Sequence, residues 1–366
     1  MQIRRLQVSN VRNLSRIALS EFKRINIFFG LNGGGKTSLL ESVHLLLTGK
    51  SFRQTQLRPL LTEGQDQSII FAELESIDWM KTTLGMSRQR DGSKPAIKCN
   101  GENVSSVSEL VKIAPIQVLS ADSLHLLTGG PAFRRQFLDW GLFHVEPSFY
   151  PIWKLAQRAL KQRNGLIRHG KIARDQLLLW TREYARYGEQ IDTLRQAYLE
   201  HLLPACRETI NTFSLSIADR LEITYSRGWQ KNQALEEALM QGIDSDLQQG
   251  HTRLGPHRAD LRIVAGAHLA GETLSRGQLK ALVACFHLAQ AQLLQAKTAK
   301  KSIFLVDDLA AELDEAHLGR FCAALERLEV QVLTTSIKKN ELMDYWSQRN
   351  EVQMFHVEQG QVTAAS

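Results

Sequence analysis

The sequence predicts an α/β fold: a mixed sheet carrying a phosphate-binding loop, an antiparallel subdomain beside it, and a mainly helical lobe inserted between the two halves. Three observations carry that expectation. The apolar run Ile25–Phe29 leads into Gly30-Leu31-Asn32-Gly33-Gly34-Gly35-Lys36-Thr37, which fits the pattern G-x-x-x-x-G-K-[ST]. A second buried run, Ile303-Phe304-Leu305-Val306, ends in Asp307-Asp308. From residue 132 to about 249 the periodicity is helical, and strand character returns only afterwards.

In chain order, residues 2–8 alternate Ile3, Leu6 and Val8 with Arg4 and Arg5, and residues 17–19 repeat a weaker strand pattern. After the glycine loop, Leu39, Leu40, Val43, Leu46 and Leu47 recur at helical spacing. The loop therefore stands between a strand and a helix. Its glycines let successive N–H groups face one anion at the helix N-terminus, where the dipole also favours negative charge. Gly30, Leu31, Asn32, Gly33, Gly34, Gly35, Lys36, Thr37 and Ser38 form the expected ATP-binding set. Lys36 can reach the β- and γ-phosphates, and the Thr37 hydroxyl can ligate Mg²⁺. At ordinary glycine usage, a chance match in a chain this long has odds of roughly one in a hundred.

Residues 68–74, 81–86 and 96–99 read as antiparallel strands with a turn at Arg90-Asp91-Gly92-Ser93. Residues 113–119 read as another, ending at Ser120-Ala121-Asp122. The character changes near Gly129-Gly130-Pro131, so the expected division is a discontinuous head, 1–130 with 250–366, and a helical lobe, 131–249. Within the lobe, turns are expected near Pro147, Asn164-Gly165 and Pro204. Residues 177–199 are amphipathic without a sustained heptad, so no long coiled coil is expected. Strands at 261–264, 303–306, 331–333 and 352–357 and a capped helix at 271–295 complete the pattern.

A net charge of +7 over 366 residues favours a polyanionic partner, although a merely basic soluble protein fits as well. Four separated cysteines with no C-x-x-C pair suggest neither a zinc site nor a disulfide framework. The N-terminus lacks an apolar core of signal-peptide length, and no apolar run reaches membrane-spanning length, so a cytoplasmic protein is expected. No His/Glu/Cys cluster or Ser/His/Asp arrangement suggests a nuclease or hydrolase centre.

An apolar strand delivering an Asp at its end can hold the Mg²⁺ water shell, which assigns Asp307 to the metal. Asp308 would orient the attacking water or take its proton; capping the next helix is the plainer alternative for the pair. Leu274-Ser275-Arg276-Gly277-Gln278 opens a helix with Ser275 as N-cap, and Gly277 leaves backbone N–H groups open to an anion. If this second helix start works on ATP, it works on a neighbouring subunit's.

Together GLNGGGKTS, LSRGQ, FLVDD and AELD (311–314) resemble the ATP-binding-cassette heads of transporter engines and SMC proteins. NVRNL, KSFR, GGPAFRRQFLDW, LGPHRADL and LSRGQLKALV resemble more narrowly the RecF family of bacterial recombination-repair proteins, over nearly the whole chain up to about Ser336. The resemblance implies a P-loop NTPase of the ABC/SMC-head type working in recombinational repair, replication restart and the SOS response. It implies an ATP-driven homodimer with each ATP held between one subunit's loop and the other's Ser275, Gly277 and Gln278, and with Asp314 at the seam. Hydrolysis through Lys36 and Asp308 would release DNA, and RecR and RecO would be the partners in loading recombinase onto gapped DNA near the nucleoid. Three departures from the cassette pattern stand out. Asp308 replaces the usual Glu, which suggests slow turnover. Leu333-Thr334-Thr335-Ser336 has no switch His. Ser120 and Asp122 stand where a Gln is expected.

Residues 150–174 hold Lys154, Arg158, Lys161, Arg163, Arg168, Lys171 and Arg174 and no acid. Lys154, Arg158, Lys161 and Arg168 fall on one helical face, opposite Trp153, Ala156, Leu160 and Ile167. Such a row could neutralise DNA phosphates without reading sequence; a solvated helix face is the plainer alternative. Arg53 could meet ATP or DNA, Arg134-Arg135 could be structural or partner-facing, and a lone His257 is more often structural than catalytic. The competing function is an ATPase subunit of a membrane transporter, against which stand the helical insertion, the missing His and the cationic row. A third reading is a scaffold that binds ATP and barely hydrolyses it.

Overall fold

The computed structural model describes residues 1–53, 60–76, 78–91, 93–168 and 174–365; Gly92 of the expected turn and Lys171 of the cationic stretch fall outside them. The chain divides into two compact units, Met1–Leu124 with Lys280–Ser366, and His125–Leu279. Residues 125–130 and 250–279, expected in the head, thus fall in the second unit.

The first unit begins with β1 (Gln2–Val11) and β2 (Leu14–Leu19), an antiparallel hairpin whose Ile3, Leu6, Val8, Leu14, Ile17 and Leu19 are buried. β3 (Ile25–Phe29) has every residue buried and feeds α1 (Lys36–Thr48). β4 (Gln67–Glu75), β5 (Lys81–Gln89), β6 (Ala96–Cys99) and β7 (Glu102–Asn103) then extend the hairpin into a six-stranded antiparallel sheet, ordered β2-β1-β4-β5-β6-β7. α2 (Val107–Ile113) precedes β8 (Ile116–Leu119). The strand expected over 113–119 is therefore shortened: Pro115, with no N–H to donate, marks the change from helix to sheet, and its carbonyl accepts from Ile303 N at 2.8 Å.

In the second unit come α3 (His125–Thr128), α4 (Pro131–Val145), α5 (Phe149–Arg168), α6 (Arg174–Thr212), β9 (Leu221–Ser226), α7 (Leu235–Gln241), α8 (Ile243–Gln249), β10 (Asp260–Ala265), β11 (His268–Leu269), α9 (Ala270–Thr273) and the start of α10 (Arg276–Thr298). Two expected turns are absent. α5 runs through Asn164-Gly165, where the Asn164 amide oxygen accepts from Thr252 N and Oγ1 at 2.8 and 2.7 Å instead of turning the local backbone. α6 runs through Pro204 because its buried stripe continues on both sides, through Leu199 and Leu202 to Cys206 and Ile210. The block is also not wholly helical. β9 pairs antiparallel with β10 in the sheet β11-β10-β9, and its weak two-residue alternation, Leu-Glu-Ile-Thr-Tyr-Ser, was the one trace of it.

Back in the first unit, β12 (Ile303–Val306), α11 (Leu309–Glu312), α12 (Glu315–Arg327), β13 (Gln331–Ser336), β14 (Val352–Glu358) and β15 (Gln361–Ala365) complete the chain. The mixed sheet runs β15-β14-β3-β13-β12-β8; β14, β3, β13, β12 and β8 are mutually parallel and β15 is an antiparallel edge. Phe28, Leu305, Leu333 and Phe355 from this sheet share one core with Leu39, Leu40 and Val43 of α1 and the inner face of the antiparallel sheet. Pairing Val306 with Thr334 and Ser336 with Phe29 brings the loops that follow β3, β12 and β13 to one edge. In parallel sheets ligands bind at that carboxyl edge.

Candidate nucleotide-binding site

The loop after β3 is held from three sides. A Cβ on Gly30 (φ 149°) would come within 2.1 Å of Val357 O, and one on Gly34 within 2.9 Å of the same atom, so β14 admits only glycine there. Gly360, in the β14–β15 turn, donates its N–H to Gly34 O at 2.9 Å. Asn13, in the β1–β2 turn, donates Nδ2 to Gly33 O at 2.9 Å and accepts from Ser38 Oγ at 2.9 Å. The buried Glu41 of α1 pairs with Arg12 and accepts from Ser51 Oγ, tying the same turn to the helix. Arg53 is exposed, and its backbone N–H donates to Ser51 Oγ.

Lys36 is 9% exposed and curls its Nζ onto the carbonyls of Gly30 at 2.6 Å and Leu31 at 3.0 Å. Burial pulls its pKa down, against Asp308 and Asp307, which pull it up. Thr37 Oγ1 donates to Asp307 Oδ1 at 3.0 Å, and Thr335 Oγ1 donates to the same oxygen at 2.9 Å. Asp308 N donates to Thr335 Oγ1 at 2.7 Å. Thr335, in the stretch where a switch His was expected, thus has a hydroxyl that touches both aspartates. Asp308 adopts left-handed φ 56°, ψ 53°, which costs a non-glycine residue roughly 1–2 kcal/mol, and its side chain makes no cap to α11. Its carboxyl pKa is raised by burial first, then by Asp307 and Glu341. The donor set fits a magnesium nucleoside triphosphate: glycine N–H groups and Lys36 for phosphate oxygens, Thr37 and Asp307 as hard oxygen ligands.

Ser275, Gly277 and Gln278 lie in the second unit, at the exposed start of α10. Ser275 N donates to Gln278 Oε1 at 3.0 Å and Gln278 N to Ser275 Oγ at 3.3 Å, a reciprocal capping box. Asp314 caps α12, accepting from His317 N at 3.0 Å and His317 Nδ1 at 2.6 Å. Ser120 is buried and its N–H donates to Ser123 Oγ at 3.0 Å.

Of the basic stretch, Lys154, Arg158, Lys161 and Arg168 are exposed along α5, whereas Arg163 turns inward. Its fully buried guanidinium meets Asp246 Oδ2 at 2.8 Å, Thr252 Oγ1 at 2.6 Å and Thr181 Oγ1 at 3.0 Å. Arg134 is structural too, bidentate on Asp260 at 2.7 and 3.0 Å. His257 donates Nε2–H to Thr252 O at 3.0 Å and accepts from Tyr184 OH at 2.5 Å through Nδ1; burial holds its pKa down at about 4, so it is a neutral strut. Sequence reasoning missed Thr335, Asn13 and Gly360 as neighbours of the loop. NVRNL was a visible string, but its contact with residues 33 and 38 comes from the fold.

The chain matches the model of the RecF/RecN/SMC N-terminal domain over residues 2–363. It is 43% identical to the DNA replication and repair protein RecF of Stutzerimonas stutzeri (strain A1501), covering 99% of this chain and 97% of that protein. To its counterpart in Pseudomonas entomophila (strain L48) it is 42% identical, with 99% and 98% covered. A solved structure of the recombination mediator protein RecF with ATP, in the RecFOR pathway, superposes with a TM-score of 0.87 at 25% identity over 100% of this chain and 97% of that one. An Smc head bound to the C-terminal winged-helix domain of ScpA shares the fold at a TM-score of 0.59 and 13% identity, covering 100% and 98%. The architecture is that of ABC/SMC-type ATPase heads.

Proposed function

This chain belongs to the RecF/RecN/SMC N-terminal domain family, and from that premise we propose that it is an ATP-gated DNA-binding protein of recombinational repair. The observation that carries the reading is the convergence of Lys36, Thr37, Asp307, Asp308 and Thr335 at one sheet edge, where the Thr37 and Thr335 hydroxyls both donate to Asp307 Oδ1, at 3.0 and 2.9 Å, and Asp308 N donates to Thr335 Oγ1 at 2.7 Å. In this reading the loop's N–H groups and Lys36 would hold the phosphates, and Thr37 and Asp307 would hold Mg²⁺, which would supply charge neutralisation. Asp308 takes the proton of the attacking water. Its shorter reach than a Glu gives a slow ATPase suited to a timed switch. Lys36 leaves the Gly30 and Leu31 carbonyls for phosphate oxygen.

Ser275, Gly277 and Gln278 complete the site in trans, so ATP drives a homodimer with Asp314 near its seam. The dimer holds DNA, with Lys154, Arg158, Lys161 and Arg168 as phosphate contacts and Arg53 at the rim, and hydrolysis releases it. The relatives named for DNA replication and repair, and a structural counterpart named for the RecFOR pathway, support a partnership with RecR and RecO on gapped DNA. Among the described residues no helix is long and apolar enough to cross a membrane.

The test is mass by light scattering together with DNA anisotropy, with and without Mg·ATP, on wild type and Ser275→Arg. ATP-dependent dimers that hold DNA, lost in Ser275→Arg while ATP binding persists, are the expected result. A monomer that ignores DNA in every nucleotide state overturns it.

A further inference from the structure

The second unit contains a cavity of about 470 Å³ that the nucleotide chemistry does not use. α4 contributes Trp140 and Phe143, and α5 contributes Tyr150 and Trp153. All four rings are partly exposed. Tyr150 and Trp153 lie nearly parallel, 14° apart with centroids 6.3 Å apart, and Phe143 meets Tyr150 edge-on at 5.3 Å. Aromatic surface left open to solvent on a helix pair is costly unless something covers it.

The charges around these rings leave a positive surplus. Lys154 Nζ stands 5.7 Å from the centroid of the Tyr150 ring, and Lys154 belongs to the exposed cationic row of α5. Arg135 lines the wall and spends one N–H on Ala259 O at 2.7 Å; among the described residues it has no ion-pair partner. The other charges of the lining cancel, because Asp139 is bidentate on Arg195 at 2.9 and 2.8 Å, and His257 is neutral between Tyr184 and Thr252. Gln136 and Gln157 add exposed amides at the mouth. Flat rings with a surplus of cations and amides beside them match a base with its phosphate better than an apolar peptide side chain, which has no use for the cations.

We infer that this cavity holds one unstacked nucleotide, its base against Trp153 and Tyr150 and its phosphate beside Lys154 and Arg135. The inference rests on the DNA-binding reading above and adds a single-stranded contact to it. Continuous duplex keeps its bases stacked and cannot use the cavity, whereas the single strand of a gap can. A free mononucleotide shares the chemistry.

The experiment uses the full chain with four probes: fluorescein-labelled oligothymidylate, a gapped duplex, a blunt duplex, and free dTMP followed by tryptophan fluorescence. Trp153→Ala and Tyr150→Ala are each compared with wild type, with Trp153→Phe as the conservative control and ATP binding as the check on folding. Loss of one stacking platform predicts about tenfold weaker binding of oligothymidylate and of the gapped duplex, blunt-duplex affinity within about twofold, and rescue by Trp153→Phe. If the alanine variants abolish dTMP binding and leave strand affinity intact, the occupant is the free nucleotide. Unchanged affinity for strand and dTMP alike, or equal losses on strand and blunt duplex, overturns the inference and leaves the cavity to a protein side chain. A wild type that binds neither strand nor duplex in any nucleotide state defeats the DNA-binding reading itself, a result distinct from a cavity that fails on a protein that binds duplex.

Discussion

The nucleotide loop and the helical lobe each bury a cation, and they treat it in opposite ways. In the lobe, Arg163 is enclosed by Asp246, Thr252 and Thr181, and Arg134 and Arg195 are each bidentate on an aspartate. In the head, Lys36 is nearly as buried yet rests only on two carbonyls, and burial lowers its pKa. Asp308 is likewise held in a left-handed backbone with its carboxyl pKa pushed up. Charge met by a carboxylate inside the chain is architecture; charge resting on carbonyls alone is reserved for something that arrives. Both kinds look alike in a sequence.

Substitutions can sharpen that contrast, beginning with the largest effect. Asp308→Asn removes the proposed base and should slow hydrolysis by about 10²–10⁴-fold while ATP still binds, as single-turnover assays would read. Because the raised pKa of Asp308 must be passed before it can accept a proton, wild-type hydrolysis should rise with pH, and that limb should vanish in the variant. Equal loss of binding and turnover would make Asp308 structural.

Arg163→Ala takes the guanidinium from buried Asp246 Oδ2 and leaves that carboxylate only Arg253, at 3.4 Å, so it should cost roughly 3 kcal/mol of lobe stability in urea unfolding. Lys36→Ala should behave in reverse, leaving stability nearly unchanged because no carboxylate is orphaned, and weakening ATP binding about 10- to 100-fold in calorimetry. If Lys36→Ala unfolds the head, or Arg163→Ala is silent, the contrast fails.

A smaller effect comes from acid. His257 is held neutral with a pKa of about 4 against an ordinary 6.5, so as pH falls the unfolded chain takes up its proton first. The stability present above pH 6.5 should drain away between about 6.5 and 4, and His257→Gln should flatten that slope in thermal melts across the window. An unchanged slope would mean that His257 titrates normally.

Much of this was legible in the sequence because it is local. The glycine loop, its strand and its helix are contiguous, and so is the strand ending in Asp307-Asp308. Thr335 was legible only as a missing His, since its bond to Asp307 depends on the parallel pairing of β12 with β13. Gly360 and Asn13 reach the loop from 325 or more residues away and from the first hairpin, and no spacing rule predicts either contact. Pro204 and Asn164-Gly165 misled for the opposite reason. Local breaker chemistry was outweighed by a buried helical stripe at one and a tertiary hydrogen bond at the other. Arg163 was counted in the basic stretch but left out of its exposed row, and the partners that enclose it, Asp246 and Thr252, come from the fold.

The central claim is a nucleotide site completed by a second copy of the chain, and mixing two defective subunits tests it most directly. Lys36→Ala loses the loop and keeps the helix start, and Ser275→Arg does the reverse. A heterodimer of the two has one intact composite site. The account predicts that each variant alone is inactive in ATP hydrolysis and that the mixture recovers activity, rising with the heterodimer fraction. A mixture no more active than the sum of its parts would contradict it.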